Sequence, residues 1–264
     1  MGDVPGAATF HKPEAYDRLV GRYSHELART LIDAAAVRPG ARALDVGCGP
    51  GALTAELAAV LGPAAVAAVD PSPPFVDACR ERVPGVHVEV APAEALPFED
   101  AAFDHALCQL VVNFMSDAPA GVREMRRVTR PGGTVTAAVW DYAGEMTFLR
   151  RFWDAAVALD PSAEQRDEGS HMPYCTPDEL GELWSAADLA EVDVAAVVVS
   201  AGYDDFEDLW APLELGIAPS GAYVVSLAPE RRAAFKEEFQ RRLGVGGDPF
   251  RLTARAWLAT GRVP

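Results

Sequence analysis

Apolar positions along this chain follow two rhythms that take turns. Over residues 13–37 they recur at helical spacing, with Tyr16, Leu19, Val20, Tyr23, Leu27 and Leu31 on one stripe, which predicts a helical segment. Strand and helix patterns then alternate: strand 42–46, helix 52–61, strand 65–70, helix 74–82 and strand 86–90. A loop over 91–102 leads to strand 103–112, helix 118–129 and strand 134–140. Strands alternating with helices imply a parallel sheet covered on both faces, and the apolar runs at 42–46, 65–70 and 134–140 suit strands buried on both sides.

Beyond Gly144 the rhythm changes. A helix over 145–159 leads into a polar stretch, 160–170, with the composition of a mobile surface loop. Thr176-Pro-Asp-Glu179 has the form of a capping box, with Thr176 as N-cap and Glu179 at the third helical position; its helix runs to about residue 187. Strand 191–200 follows, and strand 252–260 closes the chain. The roughly fifty residues between them are too many for a hairpin loop, and with helices at 206–213 and 229–243 they read as a cap or interface element. The class is α/β: a doubly wound, mostly parallel seven-stranded sheet, with N-terminal helices and a helical insertion between the last two strands. A length of 264 residues fits one such domain, with a helical cap at 13–37, a ligand-binding core at 40–141, and substrate-side or cap elements at 142–190 and 201–250.

A formal net charge of −16 argues against a protein that grips phosphate backbones or anionic membranes through a general basic field, so neither nucleic acid nor membrane is expected as a partner. Arg123, Arg126, Arg127 and Arg130 read as a solvated face beside the C-terminal end of one helix. Cys48, Cys79, Cys108 and Cys175 are widely spaced, with no CxxC pair and no histidine at ligand spacing; a reduced cytoplasmic chain without a metal site is the simplest account. The first ten residues lack the pattern of a secretory signal, Gly6 misses the myristoylation pattern, and the apolar region 52–69 is broken by Glu56 and Gly62-Pro63.

Candidate chemistry concentrates in Ala43-Leu-Asp-Val-Gly-Cys-Gly-Pro-Gly51, a buried strand that breaks into a loop without side chains and then feeds a helix N-terminus. Such units hold nucleotides of several kinds. Asp70 ends the next strand, 25 positions after Asp45, where a carboxylate can accept hydrogen bonds from a ribose diol. No Lys-Ser/Thr pair follows the glycines, and Asp45 and Asp70 would bracket and repel a polyphosphate. Gly51 falls one position early for the dinucleotide pattern. A cationic or zwitterionic nucleoside without phosphate suits this setting.

Here the chain resembles the class I S-adenosylmethionine-dependent methyltransferases, and within them the small-molecule enzymes of ubiquinone-biosynthesis-like type. Leu44-Asp-Val-Gly-Cys-Gly-Pro-Gly51 is similar to that family's first motif and Val69-Asp-Pro-Ser72 to its second. Ala93-Glu-Ala-Leu-Pro-Phe98, Phe103-Asp104 and Arg130-Pro-Gly-Gly133 resemble the three that follow, the last just ahead of the fifth strand. The resemblance implies a Rossmann-like fold and S-adenosyl-L-methionine as cofactor. Gly47, Cys48 and Gly49, in a loop closed by Gly51, would give backbone contacts to its methionine part, and Asp45 would position that loop or the ammonium group through water. Asp70 would hold the ribose diol, Pro71, Ala93 and Glu94 would lie against adenine, and Gln109 beneath the methionyl group. Tyr23, with Tyr16 and Arg22, is a further contact from the N-terminal helix, the alternative being that the tyrosines pack in the core and Arg22 is solvated. One position departs: Pro92 stands where the family often has an aspartate that binds the adenine amino group, and proline offers neither N–H nor side-chain acceptor. Cys48 reads as a small filler of the loop, not a nucleophile.

Methyl transfer from a sulfonium is an in-line displacement, to which orientation alone contributes on the order of 7–11 kcal/mol. A general base is required only for an acceptor that arrives protonated. His171, in the segment before the capping box, is the best base candidate, against the reading of a solvated loop histidine, and Asp141 ends the fifth strand beside the expected acceptor pocket with Tyr142 next to it. Asn113 is placed at the end of the fourth strand. His105 reads as packed, His87 as solvent-facing, and His11 and His25 belong to the N-terminal region. Phe114, Trp140, Trp153, Tyr174, Trp210 and Tyr223 either build an apolar acceptor cavity or form plain core. The leading expectation is methyl transfer to a small, apolar or aromatic metabolite. Its alternatives keep the cofactor but catalyse cyclisation or decarboxylation, or serve as a non-catalytic cofactor-binding partner. A homodimer is a further expectation, with the inserted helices read as either a lid or a dimer contact.

Overall fold

The computed structural model describes residues 18, 21–216 and 218–264. His11, Tyr16, Leu19 and Val20 lie outside the described residues. Helix α1 (Gly21–Ala34) precedes an alternating series: β1 (Ala43–Val46), α2 (Ala52–Leu61), β2 (Val66–Asp70), α3 (Pro73–Arg82), β3 (His87–Val90), β4 (Phe103–Gln109), α4 (Ala118–Val128) and β5 (Thr129–Trp140). Then come α5 (Thr147–Leu159), α6 (Glu168–His171), α7 (Pro177–Ala186), β6 (Ala190–Tyr203), α8 (Phe206–Trp210), α9 (Ala218–Ser226), α10 (Pro229–Leu243) and β7 (Phe250–Arg262).

The seven strands form one sheet in the order β3-β2-β1-β4-β5-β7-β6, and β1–β2, β1–β4, β2–β3 and β4–β5 all pair in parallel. Strand order reverses direction between β1 and β4. In open sheets of this kind the crevice beyond the strand carboxyl ends at that reversal is where ligands bind. The glycine loop after β1 stands there.

By its contacts the chain falls into two compact units, one of residues 24–139, 173–197 and 256–264, the other of 140–172 and 198–255 with the described residues up to Tyr23. In the first, every residue of β1 and β2 is buried, as strands covered on both faces require. Helix α4 turns Val122, Met125 and Val128 inward, and Asp117 caps it by accepting the Ala120 N–H at 2.9 Å. The capping box of α7 is formed by Thr176 and Glu179 as the sequence predicts, and its buried Trp184 donates to the Val135 carbonyl at 3.0 Å. Arg127 and Arg130 are not a free solvated face. Arg127 binds Glu124, Asp100 and the Phe98 carbonyl, and Arg130 pairs with Asp104.

The other unit is built on rings. Phe152 meets Trp153, Tyr223, Phe235 and Phe239 with centroids 4.8–5.9 Å apart, and Trp210 lies 6.0 Å from Phe235. Edge-to-face packing of this kind fills space densely. Trp210 and Tyr223 are therefore interlocked core and not the walls of an open cavity, which corrects the first of the two readings made for them, while Trp153, buried in the same cluster, also borders an open depression of about 380 Å³ with Asp154 and Arg242.

Several boundaries also differ from the sequence pattern. The stretch 160–170 is no loose loop: a 3-10 turn (Pro161–Arg166) and α6 occupy it, Arg150 grips Asp167 through two contacts of 2.9 and 2.5 Å, and Trp153 donates to Glu168 at 3.0 Å. Strand β4 stops at Gln109 because Leu110 takes φ +63° and a 3-10 turn holding Asn113 follows. Arg130-Pro-Gly-Gly133 lies within β5 as an irregularity in its pairing, with the register shifting between Phe103 and His105. Helix α9 lacked a clear apolar period and was not foreseen.

Candidate functional site

Parallel registers bring the carboxyl ends of β1, β2 and β4 to one edge. Asp45 lies level with Ala68 of β2 and Leu107 of β4, and Asp70 and Gln109 end their strands two or so residues further on. Beyond β1 the chain turns sharply, and the Gly47 and Cys48 N–H groups both donate to the Val69 carbonyl at 2.8 and 2.9 Å. Gly47 sits at φ +74°, and a Cβ there would stand 2.5 Å from Val111 Cγ2. The Gly51 N–H returns to the Cys48 carbonyl at 2.9 Å and opens α2. The loop is a tight backbone cradle aimed out of the sheet edge.

Asp70 fixes the far side of that cradle. One oxygen accepts the Gly49 N–H at 2.9 Å and the other the Ser72 N–H at 2.8 Å. Pro71 is exposed beside it, Ala93 is buried, and Glu94 is held to the start of α4 by Ser116 Oγ at 2.8 Å and the Asp117 N–H at 3.0 Å.

Asp45 is fully buried in β1. Thr54, on the first turn of α2, donates to its Oδ2 at 2.6 Å, while Oδ1 has no donor. Burial pushes the Asp45 carboxyl up to about 7; the Thr54 hydrogen bond opposes the rise and the nearby Asp70 charge adds to it. Gln109 donates its amide N–H to the Ser24 carbonyl at 3.1 Å, and its buried Oε1 likewise has no partner. Residues in register on parallel strands face the same side, as do residues two apart, so Asp45, Leu107 and Gln109 share one face. Two unsatisfied acceptors on that face call for a ligand rich in donors. Thr54 and Val111 belong to the site without a signal in the sequence; the nine-residue step from Asp45 to Thr54 gives no sign by itself that the hydroxyl reaches back to the strand.

A family model described as a methyltransferase domain matches residues 44–137. A ubiquinone biosynthesis O-methyltransferase of Methylocella silvestris is 33% identical over 186 residues, covering 67% of this chain and 68% of that protein. The chain belongs to the class I S-adenosylmethionine-dependent methyltransferases. A malonyl-[acyl-carrier protein] O-methyltransferase of Serratia marcescens is 34% identical over 127 residues, 46% of this chain and 49% of the relative. Across three curated relatives the chain spans from 34% to 68% of the relative's own length. Among solved structures, a candidate type II methyltransferase from Anaeromyxobacter dehalogenans superposes with a TM-score of 0.65 at 24% identity, over 92% of this chain and 97% of that one, which shows the shared fold.

The other unit of this methyltransferase holds the remaining candidates. Tyr23 is fully buried, its hydroxyl 3.2 Å from that of Tyr203 and its ring edge-on to Trp140 at 5.8 Å; burial raises its hydroxyl pKa far out of the working range. Arg22 pairs with Asp208 and lies over the Tyr203 ring, so it is not simply solvated. Asp141, the other base candidate, is engaged by the chain itself. Its Oδ1 accepts the Gly144 N–H at 3.0 Å, and its Oδ2 accepts the Glu145 N–H at 2.9 Å and Arg255 Nε at 2.8 Å. A carboxylate so occupied clamps a turn. His171 ends α6 and is exposed. In the first unit His105 is half-buried against Thr134 at 2.8 Å and His87 is exposed. His25, also exposed, stands 3.1 Å from Glu56. Among the described residues no three His, Cys, Asp or Glu side chains gather as a metal site, and no helix is long and apolar enough to cross a membrane.

Proposed function

We propose that this methyltransferase binds S-adenosyl-L-methionine in the loop after β1 and transfers its methyl group to a small metabolite. The observation that carries the reading is the buried Asp45 Oδ1 without a donor, beside an equally unsatisfied Gln109 Oε1. An ammonium brings three N–H donors and a positive charge, which such a pair needs, directly or through water. A phosphate in the same place would meet the charges of Asp45 and Asp70. The backbone of Gly47, Cys48, Gly49 and Gly51 would hold the methionine part, and Asp70 retains lone pairs for a ribose diol. Pro71, Ala93 and Glu94 would flank the base in place of the aspartate that Pro92 replaces.

Bound there, the cofactor supplies an activated methyl group on a sulfonium. The chain's contribution is to fix its orientation and keep water from the line of attack. Both named curated relatives are O-methyltransferases by name, so a hydroxyl or carboxyl oxygen is the proposed acceptor atom. Where that oxygen is a hydroxyl, His171 is the proposed base, and His171→Ala should then remove a limb of the pH–rate profile. Four buried free thiols accord with reaction in the reducing cytoplasm.

Calorimetry with S-adenosylmethionine, S-adenosylhomocysteine and NAD tests the cofactor. Binding of the first two and not of NAD is expected; binding of NAD alone overturns the reading. Mass spectrometry of metabolites that co-purify with the protein, followed by methyl-transfer assays on them, identifies the acceptor.

A further inference from the structure

Two thiols meet beneath the glycine loop. Cys48 stands between Gly47 and Gly49, and Cys79 lies on the buried face of α3, 31 positions later. Both belong to one small apolar cluster with Ala68, Val76 and Val88. The Cys48 thiol donates to the Gly49 carbonyl at 3.5 Å, and its proximity to Cys79 raises the pKa of the first thiol and lowers that of the second. Burial adds to the rise at Cys48 and opposes the fall at Cys79, where a Thr54 hydrogen bond and the Arg82 charge assist it. Cys79 Sγ lies 3.6 Å from Thr54 Oγ1, the hydroxyl that holds Asp45. A Cβ built on Gly51 would stand 3.0 Å from Cys79 Sγ and 3.4 Å from its Cα, so the loop rests on Cys79 with nothing between.

We propose that Cys48 and Cys79 are an oxidisable dithiol, converted by hydrogen peroxide into an internal disulfide that disables the loop for its ligand. One sulfur takes up a peroxide oxygen as sulfenic acid and one water leaves; the other sulfur displaces the second water. Two S–H bonds are replaced by one S–S bond, and the two electrons lost by sulfur reduce one peroxide to two waters. Bonded sulfurs stand about 2 Å apart, well inside the contact distance of two thiols. Cys48 must therefore move toward α3. That movement strains the Cys48 N–H bond to Val69 and the neighbouring Gly49 N–H bond to Asp70.

The disulfide is independent of what the protein methylates, but its effect on affinity rests on the loop being the cofactor cradle. The reduced full chain is treated with hydrogen peroxide, remaining thiols are alkylated, and peptides are mapped without reduction. A peptide joining Cys48 to Cys79, abolished by dithiothreitol, is expected. S-adenosylhomocysteine affinity should fall about tenfold or more on oxidation and recover on reduction. Cys79→Ser should lose both the cross-link and the fall, and Cys175→Ser should keep both. Recovery of Cys48 and Cys79 only as separate peptides in the native chain overturns the dithiol, whether or not the variants fold. A cross-link with unchanged affinity overturns its effect on the loop. Reduced protein that binds no S-adenosylhomocysteine overturns the cofactor reading instead, and the peptide map still decides the dithiol.

Discussion

The Thr54 hydroxyl donates to Asp45 Oδ2 at 2.6 Å, the Thr54 backbone N–H also supports that carboxylate, and its buried Oδ1 meets no donor among the described residues. Hydrogen bonds from Thr54 alone do not compensate a fully buried charge, so Asp45 is left poised between its protonated and ionised forms near neutrality. Thr54 also sets the rotamer that keeps Oδ1 free. The helix following the glycine loop thus arranges an acceptor at the end of the strand preceding it.

Affinity should accordingly depend on pH. Burial pushes the Asp45 carboxyl up to about 7 in the folded chain, against an ordinary value of 3.8. A cationic ligand favours the ionised form, so S-adenosylhomocysteine affinity measured by calorimetry should rise between about pH 6 and about pH 7.5 and then level. The same shift acts oppositely on the free protein. Between about pH 4 and about pH 7 the folded state keeps a proton that the unfolded state has lost, so the Asp45 contribution to stability declines as pH rises through that window. Asp45→Asn should flatten both profiles. A wild-type affinity that does not change over this range would count against an ammonium at Asp45.

Asp70 holds the Gly49 and Ser72 N–H groups and is offered the ribose diol as well. Asp70→Ala removes both the loop's anchor and a charged acceptor, and hydrogen bonds to charged groups contribute about 1.5–3 kcal/mol each. Nucleoside affinity should fall by about tenfold to a hundredfold or more. Unchanged affinity for S-adenosylhomocysteine would refute the ribose role.

Asp141 predicts a different signature. With Arg255 26% exposed and Asp141 7%, their pair is largely shielded, and the Gly144 and Glu145 N–H groups depend on the same carboxylate. Asp141→Ala should lower stability by roughly 2–4 kcal/mol in denaturant titration. The shape of the pH–rate profile should not change. Loss of a limb in that profile, with stability intact, would restore Asp141 as a base.

Much of the site was legible because it is local. Helices 52–61 and 229–243 were read with the bounds they have, the first after Gly51 and the second at Pro229, since such residues punctuate a chain wherever they stand. Asp45, the glycine loop and Asp70 could be read together because a strand, a turn and the next strand's end are fixed by short stretches. What stayed hidden depends on distant partners. The charges of 160–170 suggested a loose loop, yet Arg150 and Trp153 on α5 draw Asp167 and Glu168 into the interior, where burial pushes the Glu168 carboxyl up to about 7. Asp141 likewise had a catalytic look until Arg255, 114 positions on, occupied it. An aromatic at helical spacing does not say whether it lines a void or fills one, and Trp210 fills.

Gly47 and Gly49 separate the loop's shape from its occupancy. Both have positive φ, +74° and +52°, and a side chain in that region costs about 1–2 kcal/mol by itself. Their surroundings differ. A Cβ on Gly47 would lie 2.5 and 2.6 Å from the two methyl carbons of Val111, a β-branched side chain with little rotamer freedom, whereas a Cβ on Gly49 would meet nothing within 4 Å. Overpacking adds about 1–3 kcal/mol, so Gly47→Ala should destabilise the chain by roughly 2–5 kcal/mol in all. Gly49→Ala should cost stability only the backbone share. Its methyl instead enters the space where a ligand is to approach backbone, and cofactor affinity should fall by more than stability does. Denaturant titration and calorimetry on the two variants read these quantities separately. If Gly49→Ala binds S-adenosylhomocysteine as the native chain does, the open side of the loop at Gly49 is not where the ligand lies.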